Sequence, residues 1–311
     1  MSVDRRADWA AAPDLAAPVA AGGRIRGLWL AMRPRQWIKN GLVLAAPAAA
    51  GVVTQRDVLV DVALTFAAFS LVASAVYLVN DVADVAHDRA HAVKRARPIA
   101  AGVVAPRLAL TAAALALLAG LALAAAVRAE LLAVVAGYAG LSVLYTFWLK
   151  HVEVLDLAVV ASGFIFRAVA GGVAIDVPIS RWFLIVASFG SLFLVAGKRY
   201  SEHVTMGVER ELTRATLAVY SPAYLRQIAT TASSVTLLAY CLWAFERSGA
   251  SGDAPLLELS VVPFTIGVLR YALLLDGGLT AAPEEVALRD RPIQLLGLIW
   301  AILFVAGVSV A

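Results

Sequence analysis

Four oxygen-bearing side chains stand where one long apolar run of the chain ends. They are Asn80, Asp81, Asp84 and Asp88. On a helix that turns about 100° per residue, the three aspartates fall within an arc of about 60°, so their carboxylates are expected to converge. Carboxylates this close repel one another unless a cation joins them. Ligands that are all oxygen favour Mg²⁺, which proteins usually share with substrate phosphates. The spacing therefore predicts a magnesium site for a phosphate or diphosphate.

Cationic side chains follow this cluster in the sequence. Lys94, Arg95 and Arg97 come soon after Asp88, and they supply the positive charge that a polyanion needs beyond the metal. A second interpretation is a solvated, salt-bridged loop between two helices. The phosphate site is the better interpretation, because charges at the end of a membrane segment are rarely kept without a use.

The composition indicates a membrane protein, since 61% of the residues are hydrophobic and 15% are charged, against about 25% charged in soluble proteins. Long uncharged runs, most of them near the ~20 residues that cross a bilayer, cover residues 62–79, 108–127, 131–149, 182–197, 227–245 and 292–311. Weaker runs cover residues 41–55, extended backward by the amphipathic residues 29–40, residues 157–177 and residues 256–275. We predict an all-α integral membrane protein with about nine transmembrane helices.

The basic residues predict the orientation of these spans. With the N-terminus inside, nearly all Lys and Arg residues fall in cytoplasmic segments. Those that fall outside are Arg56, Arg128, Arg181 and Arg247, and Arg167 lies within a span. The acidic cluster and its active-site cavity are then expected to face the cytoplasm. The net charge of +4 reflects this bias and contact with anionic lipid headgroups, and we expect no nucleic-acid binding.

The chain divides into a tail and one domain. Residues 1–23 are rich in Ala, Pro and Asp and predict a disordered cytoplasmic tail. Residues 24–311 are expected to form a single transmembrane catalytic domain. Within it, the charged segments 81–107 and 198–226 are too long for simple connections, so we expect them to form short helices over a cavity.

A second cationic cluster leaves the membrane on the same side as the aspartates. Lys198 and Glu202 stand four residues apart with Arg199 beside them, a geometry that suits a second clamp for a polyanion. A plain helix-stabilising ion pair between Lys198 and Glu202 explains the spacing equally well. Both interpretations stay open from the sequence.

The start of the first span and the end of the fourth carry further candidates. Lys39 and Asn40 lie deep enough in the first span to contact a ligand, whereas an anchoring role at the membrane surface suffices for Arg33. Trp37 lies among these cations and is a weaker candidate. The fourth span ends with two more candidates for substrate binding, Tyr145 and Lys150.

The fifth span carries charge inside the membrane. Asp156, Gly163, Arg167 and Gly171 share one helical stripe, and charged residues in such a stripe should face the interior of the bundle. We expect Arg167 to pair with Asp156 or another carboxylate in preference to contacting substrate.

Together these motifs resemble those of the UbiA-type membrane prenyltransferase superfamily. The family pattern Asn-Asp-x-x-Asp-x-x-x-Asp is matched at Asn80, Asp81, Asp84 and Asp88, and Lys-Arg-x-Arg-Pro-Ile-x-x-Gly is matched at residues 94–102. The resemblance covers roughly residues 28–310. It implies a nine-helix bundle in which a diphosphate bound through Mg²⁺ lies beneath cytoplasmic loops.

One departure from the family pattern indicates which subgroup of the family the chain resembles most. Aromatic prenyltransferases of the family carry a second Asp-rich motif after the sixth span, where this chain has Lys198, Arg199 and Glu202. Here, and in residues 33–40 and 145–151, the chain is similar to the decaprenyl-phosphate 5-phosphoribosyltransferase subgroup. The similarity implies that phosphoribosyl pyrophosphate is the donor and decaprenyl phosphate the acceptor. The product would be decaprenyl-phosphoryl 5-phosphoribose for cell-wall arabinan synthesis at the plasma membrane.

The resemblance also implies roles for the candidate residues. Asp81, Asp84 and Asp88 would be catalytic through Mg²⁺, with Asn80 as a further ligand. The expected substrate-binding residues are Lys39, Asn40, Lys94, Arg97, Tyr145, Lys150, Lys198, Arg199 and Glu202. Further candidates are Arg33, Trp37, Asp156 and Arg167. Association of several copies of the chain is left open.

Two other functions fit parts of the sequence. A prenyltransferase that joins a prenyl diphosphate to an aromatic acceptor would share the first motif, but it would need the second Asp-rich motif. A polyprenyl-lipid or ion transporter would explain Asp156 and Arg167 inside the membrane. Against transport, the densest cluster of ionisable residues lies at the mouth of the spans and not at the midplane.

The orientation can be tested by labelling single cysteines. In a background with Cys241 replaced, Ala92→Cys is expected to react with a membrane-impermeant reagent only from the cytoplasmic side, and Ser251→Cys only from the other side. Labelling of both positions from the same side would contradict nine spans with the N-terminus inside.

Overall fold

The computed structural model describes residues 23–91, 93–205, 219–248, 255–277 and 283–310, and this part of the chain is helical without any strand. The α-helices are α1 (Gly23–Ala31), α2 (Ala45–Ala49), α3 (Arg56–Ala83), α4 (Val85–Ala90), α5 (Pro106–Val127), α6 (Ala129–Phe147), α7 (Leu155–Ala174), α8 (Arg181–Thr205), α9 (Pro222–Ser248), α10 (Leu256–Asp276), α11 (Pro283–Arg289) and α12 (Arg291–Val310). Within the described residues, 3-10 helices cover Pro34–Leu44, Lys94–Ala96 and Leu149–His151. Of the predicted tail, Gly23 begins α1 and residues 1–22 lie outside the described residues.

Eight of the described helices are long and apolar enough to cross a membrane, namely α3, α5, α6, α7, α8, α9, α10 and α12. Their outward surfaces are apolar: Leu115 and Leu118 of α5 and Leu298 and Ile302 of α12 are each more than half exposed. Such a surface is stable only against lipid, because burying apolar area away from water is the dominant favourable term in folding. The predicted all-α integral membrane fold is therefore confirmed.

The first predicted span is not one long helix. Arg33 adopts the left-handed conformation with φ 56°, so α1 ends and the chain turns before the 3-10 helix. A residue before proline is disfavoured in the α conformation, and Pro34 follows Arg33. The 3-10 helix and α2 together form a composite segment, 34–49. Because a 3-10 helix rises about 2.0 Å per residue and an α-helix about 1.5 Å, this segment extends about 30 Å. A ninth crossing by this composite segment stays a prediction.

The composite segment packs backbone to backbone against α7. A Cβ on Gly171 would lie 1.9 Å from the carbonyl oxygen of Val43, and a Cβ on Gly172 would lie 3.3 Å from the Cβ of Ala46. Only a residue without a side chain allows this approach at Gly171, as is common between helices in membranes. The segment that carries Lys39 is thereby held close to the centre of the bundle.

Buried apolar side chains form the core on both sides of this contact. Phe69 and Val72 of α3 pack with Leu131 and Val135 of α6, and all four are fully buried. A separate cluster around Phe193 joins α8 to α10 and α11. These clusters fix the helices whose ends carry the charged residues.

One end of the bundle gathers those charged ends, and we call it the motif end. There α3 and α6 finish and α5, α7 and α9 begin, as ion pairs between Lys150 and Asp84 and between Arg199 and Asp156 show. The expected short helices in 81–107 are confirmed as α4 and the 3-10 helix Lys94–Ala96. In the second segment, 198–226, the expected short helices are not seen in the described residues: α8 continues to Thr205 and α9 begins at Pro222, and residues 206–218 lie outside the described part.

The contact at Gly171 predicts a stability effect. Gly171→Ala places a methyl group against the rigid Val43 carbonyl, so we expect it to destabilise the protein by about 3 kcal/mol, at the upper end of overpacking effects. Gly140→Ala on α6 is the matched control, because no atom lies within 4 Å of its added Cβ. Thermal unfolding in detergent would measure both variants, and equal midpoints would contradict the packing described here.

Candidate functional site

Polar side chains fasten the 3-10 helix Pro34–Leu44 to one face of α3. Trp37 donates from Nε1 to Oγ of Ser74 at 3.0 Å, and Asn40 donates from Nδ2 to Oγ of Ser70 at 3.0 Å. Ser70 and Ser74 are four residues apart and therefore lie on the same face of the helix. Trp37, a weaker candidate for ligand contact, thus has a structural partner inside the protein.

At the end of the same face of α3, two buried aspartates contact two half-buried arginines. Asp81 and Asp88 are each 2% exposed. Nη1 of Arg97 lies 3.3 Å from Oδ1 of Asp81 and 2.7 Å from Oδ2 of Asp88, so one guanidinium nitrogen joins both carboxylates. Arg33 adds a second cation, with Nη2 2.6 Å from Oδ1 of Asp81. Arg33 is therefore more than a membrane-surface anchor.

Asp84 stands apart from the other two aspartates. It occupies the junction between α3 and α4, with φ −91° and ψ 5°, so the ideal helix on which the three carboxylates would converge is interrupted there. Its Oδ1 accepts from Nζ of Lys150 at 2.8 Å. Among the residues described, no group of three or more His, Cys, Asp or Glu side chains is close enough to hold a metal.

The residues at this point nevertheless suit a hard divalent cation. Asp81 and Asp88 direct carboxylate oxygens at the same positively charged atom, Nη1 of Arg97, which marks a position of strong negative potential. Asn80 precedes Asp81 in the chain, and Asp84, which contacts Lys150, supplies a further carboxylate nearby in the sequence. An all-oxygen donor set is what Mg²⁺ prefers.

Beside this network lies a cationic cavity of about 280 Å³, walled by the composite segment and by α3, α6, α7 and α8. The charged residues that line it are all basic: Arg33, Lys39, Arg167, Lys198 and Arg199. Of its described lining residues, none is acidic. A cavity of one charge sign with low-dielectric walls concentrates the opposite charge, so this one suits an anionic ligand.

A polar stripe on α6 forms one wall of this cavity, and sequence reasoning found only one of its residues. The stripe consists of Tyr138, Ser142, Tyr145 and Thr146. Their spacing, i, i+4, i+7 and i+8, places them on one helical face. That spacing inside an apolar span was the signal that could have predicted the other three.

Arg167 is buried in the middle of a span among neutral partners. Its Nε donates to Oδ1 of Asn40 at 2.6 Å and its Nη2 to Oη of Tyr138 at 2.9 Å, and its Nη1 donates to the carbonyl of Gly163. The expectation that Arg167 pairs with Asp156 or another carboxylate is wrong within the described chain. The two residues are 11 positions apart on α7, which separates them by about 16 Å along the axis.

Asp156 is buried at the motif end and contacts Arg199. Its Oδ2 lies 3.4 Å from Nε of Arg199, whose Nη1 lies 2.9 Å from Oε2 of Glu202. The sequence suggested Lys198 as the partner of Glu202, and the structure shows an ion pair of Glu202 with Arg199, three residues away. Lys198 lines the cationic cavity beside Arg199.

The remaining predicted residues divide between the cavity and its surroundings. Lys39 and Tyr145 line the cationic cavity. Asn40 is 1% exposed and holds Arg167, so it supports the cavity from behind. Lys94 is half-buried at the start of the 3-10 helix Lys94–Ala96, outside the lining.

A second space, the apolar chamber of about 510 Å³, lies between α7, α8, α10 and α12. Its wall is aromatic and aliphatic, with Phe183, Phe264 and Trp300 among its members. Phe164 and Leu194 line both the apolar chamber and the cationic cavity. A ligand with a charged head and an apolar chain would fit across this shared wall.

Known proteins are similar in sequence to most of this chain. Residues 41–288 match the UbiA prenyltransferase family. The decaprenyl-phosphate phosphoribosyltransferase of Mycobacterium tuberculosis is 49% identical over 280 residues, which cover 89% of this chain and 92% of that protein. The protein of the same name from Corynebacterium glutamicum is 46% identical over 290 residues, which cover 91% of this chain and 87% of that protein.

Solved structures share the fold. A UbiA homologue from Archaeoglobus fulgidus bound to DMAPP and Mg²⁺ matches with a TM-score of 0.68 at 15% identity, covering 91% of this chain and 99% of that chain. The apo structure of a UbiA homologue from Aeropyrum pernix K1 matches with a TM-score of 0.63 at 18% identity, covering 88% and 97%. The expected UbiA-type bundle is confirmed. This multi-pass membrane protein is therefore an enzyme of the UbiA prenyltransferase family.

Proposed function

We propose that this enzyme transfers the 5-phosphoribosyl group from phosphoribosyl pyrophosphate to decaprenyl phosphate and releases pyrophosphate. The product, decaprenyl-phosphoryl 5-phosphoribose, would serve cell-wall arabinan synthesis. Relatives named decaprenyl-phosphate phosphoribosyltransferase at 46–49% identity support the proposal. The structural observation that carries it is the cationic cavity that meets an apolar chamber at Phe164 and Leu194.

The charge of the cationic cavity favours these substrates over a prenyl diphosphate with an aromatic acceptor. Phosphoribosyl pyrophosphate carries a diphosphate at C1 and a phosphate at C5, and the acceptor brings a further phosphate. A prenyl diphosphate has one charged end, and an aromatic acceptor adds little charge. Lys198 and Arg199 stand where the aromatic enzymes were expected to carry carboxylates, and both line the cavity. These two cations suit a phosphate away from the acidic motif.

The acceptor would lie across the wall that the two spaces share. Its phosphate would occupy the cationic cavity, and its first isoprene units would pass Phe164 and Leu194 into the apolar chamber. Burial of the chain there would stabilise the complex by roughly 25 cal/mol per Å² of apolar surface. The chamber therefore selects a lipid acceptor, while the cavity selects its charged end.

Arg167 supplies a cation deep in the cationic cavity. A charged side chain inside the hydrocarbon region is costly, and the neutral groups of Asn40 and Tyr138 offset only part of that cost. An anionic ligand would offset the rest. We therefore assign Arg167, together with Lys198 and Arg199, to the phosphate groups that do not leave.

The reaction forms a bond between C1 of the ribose and an oxygen of the acceptor phosphate as the bond between C1 and the pyrophosphate oxygen breaks. The acceptor is a phosphate monoester with a second pKa of about 6, so it is already ionised at neutral pH. No strong general base is required, which agrees with a cavity whose described lining includes no acidic residue. Positioning and charge then provide the rate enhancement.

The pyrophosphate carries the growing negative charge as it leaves. Asp81, Asp84 and Asp88, with Asn80, would hold Mg²⁺, which supplies positive charge to the departing oxygens. Arg97 contacts Asp81 and Asp88, and Lys150 contacts Asp84. Both cations would therefore lie beside the departing oxygens of the pyrophosphate. On binding of the diphosphate, Arg97 would exchange part of its carboxylate contacts for phosphate contacts.

The proposed substrates also set the orientation and location. Phosphoribosyl pyrophosphate is a soluble, highly charged metabolite, so the motif end is expected to face the cytoplasm, in the plasma membrane. The basic residues near this end, including Arg89, Arg107 and Arg226, agree with a cytoplasmic position.

The substrates can be tested with the purified protein. Labelled phosphoribosyl pyrophosphate, decaprenyl phosphate and Mg²⁺ are expected to give a labelled lipid and an equal amount of pyrophosphate. Host membranes that lack the protein serve as the control. Turnover that requires a prenyl diphosphate and an aromatic acceptor would contradict the proposal.

The acidic residues predict a metal-dependent loss of turnover. Asp81→Asn, Asp84→Asn and Asp88→Asn are each expected to lower kcat about a hundredfold or more, which corresponds to about 3 kcal/mol. Mn²⁺ binding, followed by electron paramagnetic resonance, should weaken in the same variants. Asp84→Asn is the most direct test, because Asp84 is 27% exposed and its replacement disturbs the buried network least.

The matched control is Asp57→Asn, an exposed aspartate at the opposite end of α3. It should keep normal turnover and Mn²⁺ binding. If all three motif variants keep near-normal turnover at saturating Mg²⁺, the proposed metal role is wrong.

A further inference from the structure

Two connections at the motif end meet at the hydroxyl group of one tyrosine. Tyr220, just before α9, is 3% exposed. Its Oη donates to Oδ1 of Asp156 and accepts the backbone N–H of Val154 at 2.7 Å. One phenol therefore joins the start of α9 to the residues that lead into α7.

Val154 has a backbone conformation that its side chain disfavours. Its φ is 64° and its ψ is −44°, and a β-branched residue at positive φ is a genuine outlier. The side chain is 52% exposed, so core packing does not impose this conformation. Strained residues persist only where neighbouring contacts fix them, and they cluster at functional sites. The hydrogen bond to Tyr220 is such a contact.

The strained residue lies in the turn that follows the 3-10 helix Leu149–His151, which carries Lys150. Asp156 donates its backbone N–H to the carbonyl of Val152 at 3.0 Å, and Leu155 donates to that of Glu153 at 2.7 Å, so the chain turns tightly at Val154. On the other side of this turn, Lys150 reaches Oδ1 of Asp84 at 2.8 Å. The turn at Val154 therefore connects the start of α7 to the short helix whose Lys150 contacts the acidic motif.

The same hydroxyl also reaches the cationic cavity through Asp156. Oδ2 of Asp156 lies 3.4 Å from Nε of Arg199, a residue of the cavity wall. Burial raises the pKa of the Tyr220 phenol above its ordinary value, and the hydrogen bond to Asp156 raises it further. The phenol thus stays protonated at neutral pH, so it can donate to Asp156 while it accepts from Val154.

We propose that Tyr220 is a positioning residue for phosphate binding, which acts by holding Val154 in its positive-φ conformation. In this way it places Lys150 against the acidic motif, and through Asp156 it orients Arg199. The inference rests on the proposed function for the identity of the phosphate ligand. It assigns to Tyr220 a role that its sequence neighbourhood gave no reason to expect.

The test compares Tyr220→Phe with Tyr224→Phe. Both remove one hydroxyl, and the Tyr224 ring stacks on Tyr220 with 5.8 Å between centroids. Tyr220→Phe is expected to raise the KM for phosphoribosyl pyrophosphate about tenfold, as loss of a buried hydrogen bond allows, while kcat changes less than about threefold. Contacts made equally in the ground state and the transition state affect KM in this way. Tyr224→Phe should leave both constants unchanged.

A second substitution separates positioning from a merely structural effect. Glycine adopts positive φ without strain, so Val154→Gly should restore most of the KM in the Tyr220→Phe background and leave the otherwise wild-type enzyme near normal. Failure of this rescue would overturn the proposal, because the effect of the phenol would then not depend on the conformation of Val154. Equal kinetics of the two Tyr→Phe variants would overturn it as well.

Hydrogen exchange supplies a readout that does not require turnover. The amide of Val154 is expected to be protected in the wild-type protein and in Tyr224→Phe, and to exchange at least about tenfold faster in Tyr220→Phe. An unprotected amide in the wild type would overturn the proposal. If the wild type transfers no phosphoribosyl group, the proposed function fails, while the exchange result still decides whether Tyr220 holds Val154.

Discussion

Burial of charge within a membrane bundle is the constraint on which this structure depends. Arg33, Asp81, Arg97 and Asp88 form one connected network at the end of α3, where each buried carboxylate contacts a guanidinium. Removing Arg97 would take the shared cation away from both buried carboxylates, which costs about 3–5 kcal/mol. The network needs the composite segment beside α3, because Arg33 stands at its start. Gly171 in turn lets that segment approach α7 closely.

The same constraint connects structure to chemistry. Arg167 has neutral partners, and the described wall of the cationic cavity has basic side chains without acidic ones. Arg167 therefore carries a positive charge that a polyanionic substrate can neutralise. The neighbouring apolar chamber favours an uncharged, apolar group, and Phe164 and Leu194 line both this chamber and the cationic cavity. A phosphate attached to a long isoprenoid chain matches that boundary.

Local patterns allowed much of this to be predicted from the sequence. Apolar runs near bilayer length gave the spans that the structure contains, and the spacing of Asp81 and Asp88 predicted that their carboxylates meet. The prediction that the Asp84 carboxylate converges with the other two was wrong, because α3 ends there and the chain begins a new helix. Helical spacing also did not predict the first span, where the conformation of Arg33 separates α1 from the 3-10 helix that follows.

Contacts between distant parts of the chain could not be predicted in this way. The pairing of Arg167 with Asn40 and Tyr138 joins three separate elements, and no periodicity within one helix reveals it. Tyr220 is a similar case, since its partners Val154 and Asp156 lie 66 and 64 positions away. The polar stripe on α6 differs, because its spacing was present in the sequence and could have been recognised.

We propose that one site binds a metal diphosphate at the acidic motif and a lipid phosphate across the shared wall. A density map of the protein with Mn²⁺, pyrophosphate and decaprenyl phosphate tests it most directly. We predict metal density at Asp81 and Asp88, phosphate density against Arg167, Lys198 or Arg199, and an isoprenoid chain that passes Phe164 into the apolar chamber. A chain bound outside that chamber, or a metal bound away from the aspartates, would contradict the account.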